Sequence, residues 1–137
     1  MRFIAIFVFM VLGCAALVLQ TGGALACEAA THLSYNQPVE LEGTLKAGKG
    51  QHEAQGPFDY VYLALDKPLC VDAPADGNDE FDVGTEAAID RIQIAGEAGS
   101  GELPIGSRAT VKGTLFGAHT MWHVENVLID AASVAAK

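Results

Sequence analysis

Apolar and polar residues alternate along most of the chain after residue 38, which is the pattern of half-buried β-strands. The clearest stretch is residues 39–46, where Val39, Leu41 and Leu45 face one side and polar residues the other. The same alternation predicts further strands at 58–66, 89–95, 108–116 and 121–129. No helical periodicity is visible beyond the N-terminal segment, so the sequence predicts an all-β domain with five strands.

The segments between these strands carry turn and loop signals. Residues 46–57 are polar and rich in glycine and predict a loop, and Pro68 is expected to end the second strand. Residues 72–86 are acidic and contain proline and glycine, which predicts a solvated, mobile loop. In the fifth strand the alternation changes phase, and a bulge near Glu125-Asn126 would turn both of its apolar pairs toward the core.

Two Gly-Thr-Leu segments, beginning at Gly43 and Gly113, place a glycine in the middle of a predicted strand. Such a glycine often marks a tight bend at a barrel corner. Five short strands with this feature favour a small, partly open barrel of the OB type. A small β-sandwich is the alternative.

The N-terminus has the order of a secretory signal. Arg2 is followed by an uncharged apolar stretch at 3–19 and by the segment Ala24-Leu25-Ala26. This predicts a signal peptide at 1–26 and one domain at 27–137, located in the periplasm or secreted, with no membrane span after cleavage. A retained transmembrane anchor is the first alternative. A lipoprotein modified at Cys27 or Cys14 is the second.

The net charge indicates which partners the protein can bind, and the cysteine content indicates the compartment in which it works. Removal of Arg2 leaves 7 Lys and Arg against 17 Asp and Glu, a net charge of −10. Such a surface repels phosphate backbones, so no nucleic acid partner is expected. Two cysteines remain, Cys27 and Cys70, and in an oxidising compartment they predict a disulfide. A lipidated Cys27 or two free thiols are the rival interpretations.

His119 and His123 are the most specific candidate for a site. On an extended strand both imidazoles would project from one side, with Glu125 next in the row and His52 as a further ligand from the predicted loop. The pair could then hold a divalent metal such as zinc. The alternative is that both rings make ordinary hydrogen bonds, in which case no cofactor is present.

Sequence features that support catalysis are scarce. None of the serines lies in a Gly-x-Ser-x-Gly elbow, and no phosphate loop or dinucleotide fingerprint is present. We therefore expect no enzyme, but a binding module that works outside the cytoplasm on an unidentified protein or small-molecule ligand. A metal-binding protein using His119 and His123 is the alternative, and a hydrolase is third.

Three segments resemble one known family. They are 33–45, the Leu-Asp-Lys-Pro-Leu-Cys-Val stretch at 65–71, and 106–120 with its Gly-Thr-Leu-Phe-Gly-Ala-His-Thr ending. Together they are similar to small bacterial secreted proteins grouped as domain of unknown function 4431. The resemblance implies a signal peptide and a pair of cysteines matching Cys27 and Cys70, but no activity. Members often have a richer histidine cluster, of which only His119 and His123 are matched here.

Overall fold

The strands of the computed structural model, which describes residues 26–77 and 80–137, follow the alternation in the sequence. Within these residues the only helical piece is a 3₁₀ turn at Glu97–Gly99. The strands are β1 (His32–Ser34), β2 (Pro38–His52), β3 (Gly56–Asp72), β4 (Ile89–Ala95), β5 (Arg108–Gly117) and β6 (Val127–Ala136).

Strands β2 to β6 form one closed ring. β2 pairs antiparallel with β3 and β5, β5 pairs antiparallel with β6, β6 pairs parallel with β4, and β4 returns antiparallel to β3. The prediction of an all-β, OB-like five-stranded barrel is confirmed. The barrel is closed rather than partly open, because β4 pairs on both of its edges. A single continuous ring also excludes the β-sandwich alternative.

The inward residues of the predicted alternation form the core. The two mid-strand glycines allow the close approach of neighbouring backbones. A Cβ on Gly43 would lie 2.3 Å from the carbonyl oxygen of Ala64, and one on Gly113 would lie 2.1 Å from that of Asp130. Both positions therefore require glycine, as a tight barrel bend predicts. Large side chains that are fully buried include Leu45, Leu63, Ile92, Val111, Leu115, Leu128 and Ile129.

Two loop predictions around β3 are wrong. Most of residues 46–57 is strand, because β2 continues to His52 and β3 begins at Gly56. The hairpin is therefore longer than the glycine content suggested. Pro68 does not end β3 either: it is exposed and lies at a register shift between Ala64 and Leu69, where a missing N–H breaks no ladder bond.

The acidic segment after β3 is irregular, as predicted, but it is not solvated throughout. Asp82 is only 3% exposed. Its carboxylate accepts hydrogen bonds from the Gly117 N–H at 2.7 Å and from the Asn36 side chain at 2.8 Å. Thr85 also accepts a bond from the Val71 N–H. These contacts fasten the segment to the barrel. They also supply partners for the backbone N–H groups of Gly117 and Val71, which would otherwise be unpaired.

The N-terminal part of the domain is joined to the end of β3. The short strand β1, which the alternation did not predict, pairs parallel with β3 and sets His32 opposite Cys70. Cys27 and Cys70 form a disulfide with a Cα–Cα distance of 5.9 Å, so that prediction is confirmed.

The predicted signal peptide at 1–26, apart from Ala26, and Cys14 lie outside the described residues. Among residues 26–77 and 80–137, no helix has the length and hydropathy needed to cross a bilayer.

Candidate functional site

The connection between β5 and β6, residues 118–126, is a loop that we call the tryptophan loop. The predicted strand at 121–129 is wrong in its first half, because β6 begins at Val127. A turn closed by a 3.1 Å bond from the His123 N–H to the Thr120 carbonyl occupies that place. The expected bulge near Glu125 is absent; the register shift between these strands lies at Lys112/Gly113. Trp122 is consequently 41% exposed rather than in the core.

A single buried side chain fixes the conformation of the tryptophan loop. Gln93 in β4 is 6% exposed, and its amide nitrogen donates to the Trp122 carbonyl at 2.9 Å. Its amide oxygen accepts from the N–H groups of Val124 and Glu125 at 2.7 Å and 3.2 Å. Gln93 was not predicted, because alternation puts a residue between the inward Ile92 and Ile94 on the outer side of the strand, where a polar residue is ordinary. Its partners lie 29 to 32 residues later in the chain, so no local signal was available.

Trp122 packs against the tip of the β2–β3 hairpin. Its ring centroid lies 4.5 Å from that of His52 and 4.8 Å from that of Phe58, the latter in an edge-on geometry. Both distances are those of favourable ring pairs. The His52 Nδ1 accepts backbone N–H bonds from Ala54 and Gln55 in the hairpin turn, so the residue that Trp122 packs on is itself held in place.

Three aromatic side chains alternate along β3 and continue the surface that Trp122 begins. Phe58 and Tyr60 are paired across the hairpin with Gly50 and Gly48. Atoms of the two rings lie 2.3 Å and 2.4 Å from the sites that a Cβ on these glycines would occupy, so the rings lie against the bare backbone of β2. The Tyr62 ring follows, 5.9 Å from that of Tyr60. We call His52, Phe58, Tyr60, Tyr62 and Trp122 the aromatic face.

Polar groups border the aromatic face with both signs of charge. The Tyr60 hydroxyl donates to Glu125 at 2.6 Å, and the Arg91 guanidinium lies 5.4 Å from the centre of the Tyr62 ring, within cation–π range. Burial, and then the hydrogen bond to Glu125, raise the pKa of Tyr60 to about 12. The Tyr60 hydroxyl therefore stays protonated at neutral pH and acts as a donor.

His119 and His123 are brought together, but by the turn rather than by an extended strand. Their ring centroids are 4.7 Å apart at a near-perpendicular angle. The His123 Nδ1 accepts a bond from the His119 backbone N–H at 3.0 Å, and the His119 Nδ1 lies 2.9 Å from the Gly117 carbonyl. With Phe116 and Asp130 they line a cavity of about 390 Å³ on another side of the tryptophan loop.

These backbone contacts decide what each imidazole can offer. A carbonyl only accepts, so the His119 Nδ1 carries the proton and its Nε2 is a free acceptor, which suits a metal ligand. A backbone N–H only donates, so the His123 Nδ1 accepts and the proton of the neutral ring is on Nε2. The Nε2 atom could bind an ion only if this proton moved to Nδ1, which would break the bond from the His119 N–H.

The further ligands expected from the sequence are engaged elsewhere. Glu125 bonds Tyr60, and His52 packs against Trp122. Throughout residues 26–77 and 80–137, no three His, Cys, Asp or Glu side chains are placed to share an ion. The hypothesis of a shared divalent metal at His119 and His123 thus remains a prediction.

Comparison with known proteins gives a partial family assignment. Neither a curated protein nor a solved structure matches the chain. The model of one family matches residues 91–135, which span Arg91, Gln93, β5, the tryptophan loop and nearly all of β6. The family is described as domain of unknown function (DUF4431), and its match to residues 91–135 agrees with the resemblance seen in the sequence.

Proposed function

We propose that this protein is a non-catalytic binding module that works outside the cytoplasm and takes its ligand on the aromatic face. One observation carries the proposal: Trp122 is 41% exposed, yet its own carbonyl and the backbone that follows it, at Val124, are fixed by the buried Gln93. A large aromatic side chain that stays exposed on a fixed backbone, although it packs on neighbouring rings, is typical of an interaction site.

The rigidity of the aromatic face supports binding in particular. Association loses free energy when loops and side chains must be ordered on contact, and a face that is already ordered avoids that loss. Gln93 holds the loop, and Gly48 and Gly50 give the Tyr60 and Phe58 rings a backbone surface to lie on. A ligand would meet these rings in the orientation that it needs.

The chemistry bordering the face also supports binding over catalysis. With a pKa of about 12, Tyr60 is poorly suited to accept a proton at neutral pH, and its bond to Glu125 occupies one oxygen of the nearest carboxylate. Hydrogen-bond donors and acceptors at the edge of an aromatic surface are what orientation of a bound molecule requires.

The Cys27–Cys70 disulfide supports a location outside the cytoplasm, because disulfides persist in oxidising compartments. The predicted signal peptide at 1–26 points the same way. Intact-mass measurement of the exported protein tests the location: a chain beginning at Cys27 is expected. A mass that retains residues 1–26 would contradict cleavage, and an added diacylglycerol would indicate a lipoprotein.

Trp122 is the only tryptophan in the chain, so its fluorescence reports directly on the aromatic face. We expect a screen of mixed oligosaccharides, peptides and small metabolites to yield compounds that shift its emission. Calorimetry should then show at least tenfold weaker binding to Trp122→Ala and unchanged binding to Ile105→Ala, a control with a comparably exposed apolar side chain. Compounds that bind both variants with equal affinity would contradict the proposal.

Metal binding at His119 and His123 is a second candidate, which the free Nε2 of His119 favours. Zinc titration by calorimetry on the wild type and on a His119→Ala, His123→Ala double variant separates it from the first. A heat that is lost in the double variant would support the metal site. Equal heats from both proteins would eliminate it and leave the proposal for the aromatic face intact.

A further inference from the structure

We infer that the ligand of the aromatic face is an uncharged oligosaccharide. The inference rests on the proposed function, since it names the ligand class for the same face. It is carried by the shape of the aromatic row, by the chemistry at its edge and by the charge of the whole molecule.

The row is longer than one sugar ring. Phe58 and Tyr62 are four residues apart on β3, which corresponds to about 13 Å of strand at 3.3–3.4 Å per residue. Trp122 extends the row beyond Phe58. A succession of rings in a line can take a succession of similar units, as a linear glycan presents them.

A pyranose unit has two kinds of surface, and the face offers a match for each. Its axial C–H groups form an apolar side that packs on an aromatic ring, while its hydroxyl groups project around the edge as donors and acceptors. The rings of the row meet the first surface. Glu125, which accepts from the Tyr60 hydroxyl, and the Arg91 guanidinium, which lies over the Tyr62 ring, can bond the second.

A polar cavity of about 280 Å³ adjoins this edge. Arg91 and Glu125 are part of its wall, together with Asp90 and Asn126. Its volume gives room for a substituent that leaves the plane of a sugar ring. Flat aromatic ligands would use the row and leave this cavity unfilled.

Charge separates the oligosaccharide from other stacking ligands. Nucleic acid bases also stack on aromatic rings, but each nucleotide carries a negatively charged phosphate, which a chain with a formal net charge of −9 repels. The same repulsion disfavours glycans rich in carboxylate or sulfate. Beside the row, Arg91 lies between the carboxylates of Asp90 and Glu125, so this edge offers an anionic ligand no excess of positive charge.

The experiment is a binding survey on the full mature protein. Arrays of uncharged and of anionic glycans, single-stranded DNA and a peptide library are probed in parallel, and hits are titrated by Trp122 fluorescence. We expect binding to uncharged glycans of several units, with affinity rising with chain length. Tyr62→Ala should weaken it at least tenfold, whereas Tyr62→Phe, which keeps the ring, should weaken it less.

A glycine variant tests the geometry without removing any aromatic ring. The Cβ of Gly48→Ala would lie 2.4 Å from the Tyr60 ring and must displace it, so we expect about tenfold weaker glycan binding with the fold retained in a thermal melt. Gly101→Ala is the matched control, because nothing lies within 4 Å of its Cβ. Equal affinities for these two variants would overturn the inference.

The survey also distinguishes a failure of the oligosaccharide inference from a failure of the binding-module proposal. Peptide or DNA binding that is lost in Trp122→Ala, with no uncharged glycan bound, would overturn the oligosaccharide inference and leave the binding module standing. Probes that bind but leave Trp122 emission unchanged would overturn both.

Discussion

The irregular segment after β3, described over 73–77 and 80–88, and the tryptophan loop are each fastened by a buried polar side chain, but the two anchors run in opposite directions. In the first segment the anchor belongs to the loop: Asp82 reaches into the barrel and bonds the Gly117 N–H and Asn36. In the tryptophan loop the anchor belongs to the barrel: Gln93 reaches out to the backbone of the loop.

This difference predicts different consequences when each anchor is lost. Without Asp82, the buried N–H of Gly117 at the end of β5 loses its partner, so the cost falls on the fold. Without Gln93, backbone groups of an exposed loop lose their partner and can turn to water, so the cost falls mainly on the order of the loop. The acidic segment should therefore matter for stability and the tryptophan loop for binding.

The largest effect is expected from the disulfide, which lies at the end of β3 just before the acidic segment. Opening the Cys27–Cys70 crosslink, 43 residues apart, should lower the free energy of unfolding by about 4 kcal/mol. Urea denaturation with and without reductant measures this. The Trp122 emission of the folded reduced protein should match that of the oxidised protein. A shifted emission would show that the two regions are not independent.

Asp82→Ala comes second, with an expected loss of about 3 kcal/mol, because a buried carboxylate and both of its hydrogen bonds disappear. Asp82→Asn keeps an acceptor and should lose less. The matched control is Asp76→Ala, an exposed acidic residue of the same segment, with a change within about 0.5 kcal/mol. Urea denaturation of the three variants decides whether the anchor or the acidity of the segment matters.

Gln93→Leu should cost less, about 2 kcal/mol, since the hydrogen bonds that it removes are between uncharged groups. Its more specific result is a red shift of Trp122 emission and increased hydrogen exchange at Val124 and Glu125. Gln37→Ala, an exposed glutamine, is the control and should change neither. Unchanged emission in Gln93→Leu would contradict the role given to this residue.

The smallest effect is a pH dependence of the tryptophan loop. Burial, and then the neighbouring His119, lower the pKa of His123 below its ordinary value. A released loop would thus bind a proton more readily than the native one, so the stability of the loop is complete above about pH 6.5 and declines as pH falls below it. Trp122 emission from pH 8 to 5 measures this, and His123→Gln should flatten the profile.

The parts of the fold that depend on inward alternation could be predicted from the sequence. The strand at 89–95 was found with its bounds, and Leu41 and Leu45 were placed on one side of their strand, which is the inward side. Their burial follows from local spacing alone, because successive strand residues point to opposite sides.

The parts that depend on a partner distant in sequence could not be predicted. Gly48 and Gly50 looked like loop residues, but the Tyr60 and Phe58 rings packed on them keep β2 regular. Trp122 alternates with its neighbours as a strand residue would, yet hydrogen bonds from Gln93, 29 residues earlier, hold it in a turn. The two histidines were correctly singled out, but their spacing was interpreted on a strand that is not there.

The bonds made by Gln93 all end on main-chain atoms of residues 122, 124 and 125. Every amino acid except proline supplies the same N–H and C=O groups, so the exposed side chains at positions 121, 122 and 124 can be exchanged without loss of these bonds. A barrel of this kind can acquire a new specificity through substitutions in one short segment while its framework stays constant. For protein engineering, positions 121, 122 and 124 are accordingly the place to graft other recognition groups onto this scaffold.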